Sequence, residues 1–220
     1  THLLIAVGRK ANVSGFGLEE LGIEMARNGI KVDDRRRTSI KSIYAIGDCR
    51  DGPRLTHVSG YEGSNVALEI VTGLPTKVDW KALPWCTFTE PEVATIGTQP
   101  TEPPDDVIRI SIDGSAIDRA YTDRVAHGLL VVDVRPPTGE VLGATIVGPR
   151  AGEIITTFSL AMKAGIGFHR WYGTVIPYPT YSEVITEAVE QYLSETASDV
   201  AGHTSRWVGG LWNRGRSRFS

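Results

Sequence analysis

Cysteine is nearly absent from this sequence. Cys49 and Cys86 are the two in 220 residues, too few and too far apart for a disulfide scaffold or a cysteine-rich metal site. No CxxxxC pair exists to carry a redox disulfide, and no Gly-x-Gly-x-x-Gly follows a strand to cradle a dinucleotide pyrophosphate. Long hydrophobic runs are missing too: no stretch of about 18 uncharged apolar residues is available to span a bilayer. Neither sign of charge dominates, since 23 basic and 26 acidic side chains leave a net −3 and no global field to attract nucleic acid. What is present suffices for a core, because 41% apolar and 22% charged residues describe an ordinary globular chain that buries roughly 70% of its unfolded surface when compact. With no signal-peptide pattern and few thiols, a cytoplasmic setting is expected. The sequence starts at Thr1 rather than Met and runs at once into Leu3-Leu4-Ile5-Ala6-Val7. A buried strand is expected there, and the chain reads as part of a longer protein.

The texture changes near Pro75. Before it, Leu18 to Leu21 reads as a helical turn closed by Gly22, Gly29 to Asp33 as part of a hairpin-like region, and Ile43 to Ile46 as a buried strand stopped by Gly47-Asp48. Leu55 to Val71 reads as a helix, with Val58, Tyr61, Val66, Leu68 and Ile70 at imperfect spacing and Gly73 and Pro75 as its stop. After Pro75 come five short β-rich runs, Trp85 to Phe88, Val93 to Ile96, Val107 to Ile112, Gly128 to Val134 and Val141 to Val147, the last two joined by Pro136-Pro137-Thr138-Gly139. Ala151 to Ala164 and Ser182 to Leu193 then show helical spacing. The fold expected is an α/β portion followed by an α+β domain with an antiparallel sheet and helices.

Chemistry is first legible at Ile43-Tyr44-Ala45-Ile46-Gly47-Asp48. A strand that delivers Gly and then Asp lets a ligand approach the backbone closely and sets a carboxylate before a sugar or polyol hydroxyl; the same Asp can equally cap the next turn. Leu4 to Arg9, Gly22-Ile23, Val32-Asp33, Arg37-Thr38-Ser39 and Gly52-Pro53-Arg54-Leu55-Thr56-His57 surround it in a fixed order. Further on stand Phe88-Thr89-Glu90-Pro91-Glu92-Val93-Ala94, Gly97, Gly143-Ala144, Gly148, Gly152-Glu153 and Tyr178-Pro179-Thr180-Tyr181-Ser182-Glu183. Together, over residues 2 to 193, these resemble the pyridine nucleotide-disulfide oxidoreductases, class I enzymes that use FAD and NAD(P)H, such as dihydrolipoamide dehydrogenase and mercuric reductase.

The resemblance implies the last strand of an NAD(P)-binding domain at 1–12, the carboxyl-terminal part of an FAD-binding domain at 13–78 and a dimerisation domain at 79–195. It implies a homodimer that passes electrons from NAD(P)H through FAD to a small-molecule acceptor. Asp48 after Gly47 would bond the ribityl chain, and the backbone at Leu55, Thr56 and His57 would lie at the flavin's pyrimidine side, where a helix amino end stabilises negative charge. Without the pyrophosphate cradles the 220 residues alone are expected to be inactive. The rival reading is a stand-alone dimerisation module without redox activity.

Many family members carry His-Pro-Thr-x-x-Glu near the end, where the His acts as base for the partner subunit's thiol; here Tyr178 takes the His position and Glu183 keeps the acid. A phenol titrating near 10 is a poor resting base, which puts the usual disulfide exchange in doubt. Tyr178 can alternatively pack at the interface. That interface is expected to use the Tyr178 loop and the helix from Ser182, including Val184 and Val189. No metal site is expected, and Cys49 and Cys86 read as packing residues. From 196 to 220 a basic mobile tail is expected: Arg206, Arg214, Arg216 and Arg218 alternate with Trp207, Trp212 and Phe219. Gly209 and Gly210 break any stable amphipathic helix, leaving at most a weak membrane-surface contact.

Overall fold

A computed structural model describes residues 1–125 and 127–197, so the residues 198–220 of the expected tail, with all its arginines, lie outside the described residues. The chain divides into two compact units, one covering Thr1–Asp79 and one starting at Trp80.

In the first unit the expected strand at Leu3 to Val7 does not form. These residues have no regular structure, and Leu3, Leu4, Ile5 and Val7 are exposed; a strand needs a ladder partner, and no described residue supplies one. Leu18 to Gly22 does make a turn, closed by Ile23 N–H to Leu18 O at 3.0 Å and Gly22 N–H to Glu19 O at 3.0 Å, the paired bonds of a left-handed helix terminus. A minimal hairpin pairs β1 (Met25–Ala26) with β2 (Gly29–Ile30). The segment Ile43 to Ile46 is extended yet forms only an isolated antiparallel bridge, Arg37 to Tyr44, so the strand expected there is reduced to one pairing. Ile23, Ile30 and Ala45 make a small core, packed by Leu18, Val32 and Ile43.

Helix α1 runs over Thr56–Thr72 and ends at Gly73, whose φ of 70° only glycine adopts cheaply. Its buried stripe is Val58, Glu62, Val66 and Glu69, at helical spacing but half of it carboxylates, while Leu68 and Ile70 face outward. This is why the apolar pattern fits a helix poorly: two of its inward positions are acidic.

The second unit is α+β. Strands β3 (Pro84–Thr87), β4 (Glu92–Gly97), β5 (Ile108–Asp113), β6 (Leu129–Arg135) and β7 (Glu140–Gly148) form one antiparallel sheet in the order β3-β4-β7-β6-β5. Alternate residues point into the core, as the period of two demands: Ala94 and Ile96, Ile110 and Ile112, Leu130 and Val132, Ala144 and Ile146. A short helix α2 (Asp118–Thr122) follows β5. Helix α3 (Ala151–Lys163) lays Ile154, Ile155 and Phe158 on that core, and helix α4 (183–197) adds Val184, Ile185, Ala188, Val189 and Tyr192. Each such side chain contributes about 2 kcal/mol when removed from water. Phe158 stacks on Phe168 at 6.5 Å, and Trp171 and Tyr192 meet these rings tilted or edge to face at 5.0 to 5.6 Å. Val184 and Val189 are thus buried in the chain's own core rather than free for a partner, a correction that follows from the rotation of α4 about its axis.

Candidate functional site

The Gly47–Asp48 pair sits in a single 3-10 turn, Gly47–Cys49, packed against α1. Gly47 has φ 66°, and a Cβ there would lie 2.5 Å from Ser59 Oγ. The turn therefore presses directly on the first turns of the helix, where only glycine fits. Asp48 projects outward, with its carboxylate 3.3 Å from the exposed guanidinium of Arg9, a solvent-screened pair. Arg9 also donates to Arg54 O at 2.7 Å, and Arg54 donates to Arg9 O and Asn28 O. Leu55 is the N-cap of α1 and supplies no side-chain cap; Thr56 and His57 open the helix and are exposed. The first-turn N–H groups have no acceptor further back in the helix, the arrangement that favours an anion or a polar ring edge.

Behind the turn stand charged residues that the sequence pattern did not single out. Glu62 is fully buried and accepts the Gly47 N–H at 2.7 Å through Oε2. Its Oε1 lies 2.5 Å from Arg50 Nη2 and 3.3 Å from Arg36 Nε. Burial pushes the Arg36 guanidinium below its usual value, and Glu62 opposes that shift. Further along α1, Glu69 accepts from Arg35, Arg37, Tyr44 Oη and the Thr76 N–H. The Arg35 hydrogen bond leads in holding Glu69 well below the usual carboxylate range, against the opposing effect of burial. The clue in the sequence was the Arg35-Arg36-Arg37 patch, whose acidic partners lie 26 to 34 residues away on α1.

In the second unit Tyr178 is exposed, and its hydroxyl donates to Asp118 Oδ2 at 2.6 Å. That bond, with the charge of Asp118, burial and the charge of Glu183, raises the phenol above its ordinary value. Tyr178 is therefore a protonated donor at neutral pH, not a base. Glu183 begins α4, and its Oε2 and the hydroxyl of Thr180 are buried without a hydrogen-bond partner among the described residues. Asp118, absent from the sequence expectations, is brought to Tyr178 from 60 residues away. Nearby, Asp123 takes both Arg119 and the Tyr181 hydroxyl, each at 2.7 Å. The Cys86 thiol is pushed up by burial and by Glu92, which opposes thiolate formation.

Outside the core of this unit lies an apolar groove of about 750 Å³, lined in part by Leu160, Ile166, Tyr172, Val175, Ile185 and Pro177. Leu160 on α3 is 71% exposed there and Val175 is 93% exposed. No helix among the described residues is long and apolar enough to cross a membrane.

Comparison with known proteins agrees with this architecture. Residues 83–189 match the dimerisation domain of the pyridine nucleotide-disulphide oxidoreductases, and residues 1–63 match the pyridine nucleotide-disulphide oxidoreductase family itself. The dihydrolipoyl dehydrogenase of Geobacillus stearothermophilus is 38% identical over 193 residues, covering 86% of this chain and 41% of that protein. That of Haloferax volcanii is 36% identical over 198 residues, covering 88% of this chain and 42% of the relative. Among solved structures, LpdA from Mycobacterium tuberculosis superposes with a TM-score of 0.77 at 30% identity, over 87% of this chain and 42% of that one. The flavoprotein disulfide reductase RclA from Escherichia coli gives 0.77 at 25% identity, over 84% and 44%. The chain thus spans about two fifths of the length of the relatives it matches. Two matches in sequence order, with these relatives and this antiparallel sheet, lead to one conclusion: the chain belongs to the class I pyridine nucleotide-disulfide oxidoreductases.

Proposed function

We propose that this chain contributes the ribityl-binding turn and the dimer interface of an FAD-dependent oxidoreductase that moves electrons from NAD(P)H to a small-molecule acceptor. The observation that carries the reading is the Gly47–Asp48 turn pressed against an α1 amino end that has no side-chain cap. These residues fit a flavin. An outward carboxylate with one screened partner is free to take polyol hydroxyls, and the packing of Gly47 on Ser59 holds the turn that carries it close against α1. Asp48 would accept from the ribityl chain, while the backbone at Leu55, Thr56 and His57 would meet the ring system and favour negative charge on it. When bound, FAD supplies a ring that takes two electrons from NAD(P)H and passes them on. Tyr178 keeps its proton on Oη, where the bond to Asp118 and the charge of Glu183 hold it; to donate to the acceptor the hydroxyl would turn away from Asp118, exchanging one hydrogen bond for the other. A donor in place of a base supports an acceptor that is not a disulfide awaiting thiol deprotonation.

The homodimer reading draws on the match to a dimerisation domain and on the apolar groove between α3 and α4, which a second copy would cover. The test is titration of the full-length apoprotein with FAD, comparing parent and Asp48→Ala. Loss of a charge-assisted hydrogen bond should weaken binding about tenfold or more. If the parent binds no flavin, only the dimerisation-module reading stands; if Asp48→Ala binds as tightly as the parent, the ribityl role is wrong.

A further inference from the structure

A carboxylate buried completely behind a surface turn needs a reason. Glu62 sits six residues into α1 and contacts two guanidiniums whose side chains are themselves buried. Buried ion groups of this kind are about as stabilising as well-packed apolar residues of the same size, so helix packing alone does not call for them. An apolar side chain, however, cannot accept an amide N–H, and Glu62 Oε2 takes that of Gly47 at 2.7 Å in a turn whose φ is 66°. A second arm reaches the other end of the same loop. Arg50, held against Glu62 Oε1, donates from Nη1 to Asp51 O at 2.8 Å. Gly52, with φ 150°, leaves space that a Cβ would take from the Arg50 guanidinium. One carboxylate thus anchors the segment from Gly47 to Gly52 at both of its ends. That segment carries Asp48 and leads into Leu55, the N-cap of α1.

We propose that Glu62, with Arg50 as its extension and Arg36 as its counter-charge, is a positioning residue for the flavin: through the Gly47 amide and the Asp51 carbonyl it holds Asp48 and the amino end of α1 in binding geometry. The inference rests on the flavin reading and deepens it, since Glu62, fully buried behind the turn, acts only through its neighbours. A purely structural Glu62 predicts the opposite pattern, in which any residue that keeps the fold keeps the site.

Two double variants of the full-length protein separate these. Glu62→Gln with Arg36→Met and Glu62→Met with Arg36→Met leave the same buried net charge, with Arg50 retained, and closely similar bulk. Only the first keeps an oxygen for the Gly47 N–H. Hydrogen exchange at Gly47, read without any flavin, should run about tenfold faster in the Met pair than in the Gln pair. The FAD dissociation constant should rise by a similar factor, and the difference should shrink when Asp48→Ala is added to both. Equal Gly47 exchange in the two variants overturns the anchor, whatever FAD does. Different exchange with equal FAD affinity overturns the positioning role, and failure of the parent to bind FAD overturns the reading beneath it, leaving the exchange result to judge the anchor alone. Should both double variants misfold, Arg50→Lys keeps the charge beside Glu62 but loses the arm to Asp51 O. It should weaken FAD severalfold, and unchanged affinity there likewise refutes the proposal.

Discussion

Replacing Gly47 by alanine tests whether the turn is shaped by its contact with α1. A non-glycine residue at φ 66° carries about 1–2 kcal/mol of conformational penalty. The new Cβ would also stand 2.5 Å from Ser59 Oγ and 2.9 Å from Ser59 Cβ. The hydroxyl can rotate away, at the loss of its 3.3 Å bond to Leu55 O, worth about 1 kcal/mol net. The Cβ cannot rotate, so the turn must move, and overpacking of this kind costs about 1–3 kcal/mol. The sum is a destabilisation of the first unit by about 3 kcal/mol or more. Ser59→Gly removes both offending atoms, and the remaining neighbour, Ser59 Cα at 3.6 Å, is an ordinary contact. That substitution alone costs about 1 kcal/mol for a helical glycine. In the double variant the steric part should disappear and the conformational part remain, giving a favourable coupling of about 1–3 kcal/mol. Urea unfolding followed by hydrogen exchange in peptides from residues 43–72 measures all four corners of the cycle. Additivity within about 0.5 kcal/mol would refute the reasoning, because it would mean the two residues do not compete for space.

Four further outcomes are expected. Glu69→Gln should destabilise the protein at pH 7, because the depressed folded-state value contributes stability above the ordinary carboxylate value of roughly 4.3 and loses it as pH falls through the depressed one; urea midpoints should therefore begin to approach each other below about pH 4, and a constant gap from pH 7 to 3 would contradict this. Tyr178→Phe should slow reoxidation by the acceptor at least about tenfold while leaving flavin reduction by NAD(P)H unchanged, and ionisation of the phenol, raised above its ordinary value, should cost the parent no rate near neutral pH; equal rates in stopped flow for variant and parent would return Tyr178 to a packing role. Leu160→Asp should leave each subunit folded, since that side chain is exposed in the single chain, yet dissociate the dimer in sedimentation, because an unpaired charge in a covered apolar groove costs several kcal/mol; an intact dimer would put the interface elsewhere. Val184→Asp, in contrast, should unfold the second unit, as that residue is 3% exposed.

Local patterning alone determined the elements that repeat over several residues: the five strands of the second unit, the helices from Ala151 and Ser182, and the Gly73 stop of α1 all lie within a few residues of where side-chain periodicity and turn chemistry put them. The ordered motifs around Gly47-Asp48 and Tyr178 were enough to point to the family. Tertiary structure alone decided the rest. Leu3 to Val7 is apolar enough for a strand, but a strand exists only where another strand accepts its hydrogen bonds. Glu62 and Glu69 look like solvent-facing residues of α1 until Arg50, Arg36, Arg35 and Arg37 arrive from 12 to 34 residues away to make their burial tolerable. Asp118 becomes the partner of Tyr178 only when α2 and the segment before α4 meet across 60 residues. Val184 and Val189 turn inward because α4 has one core to cover. Periodicity is a property of neighbours in sequence, whereas the pairing of buried charges and the choice of a helix's inner face depend on neighbours in space.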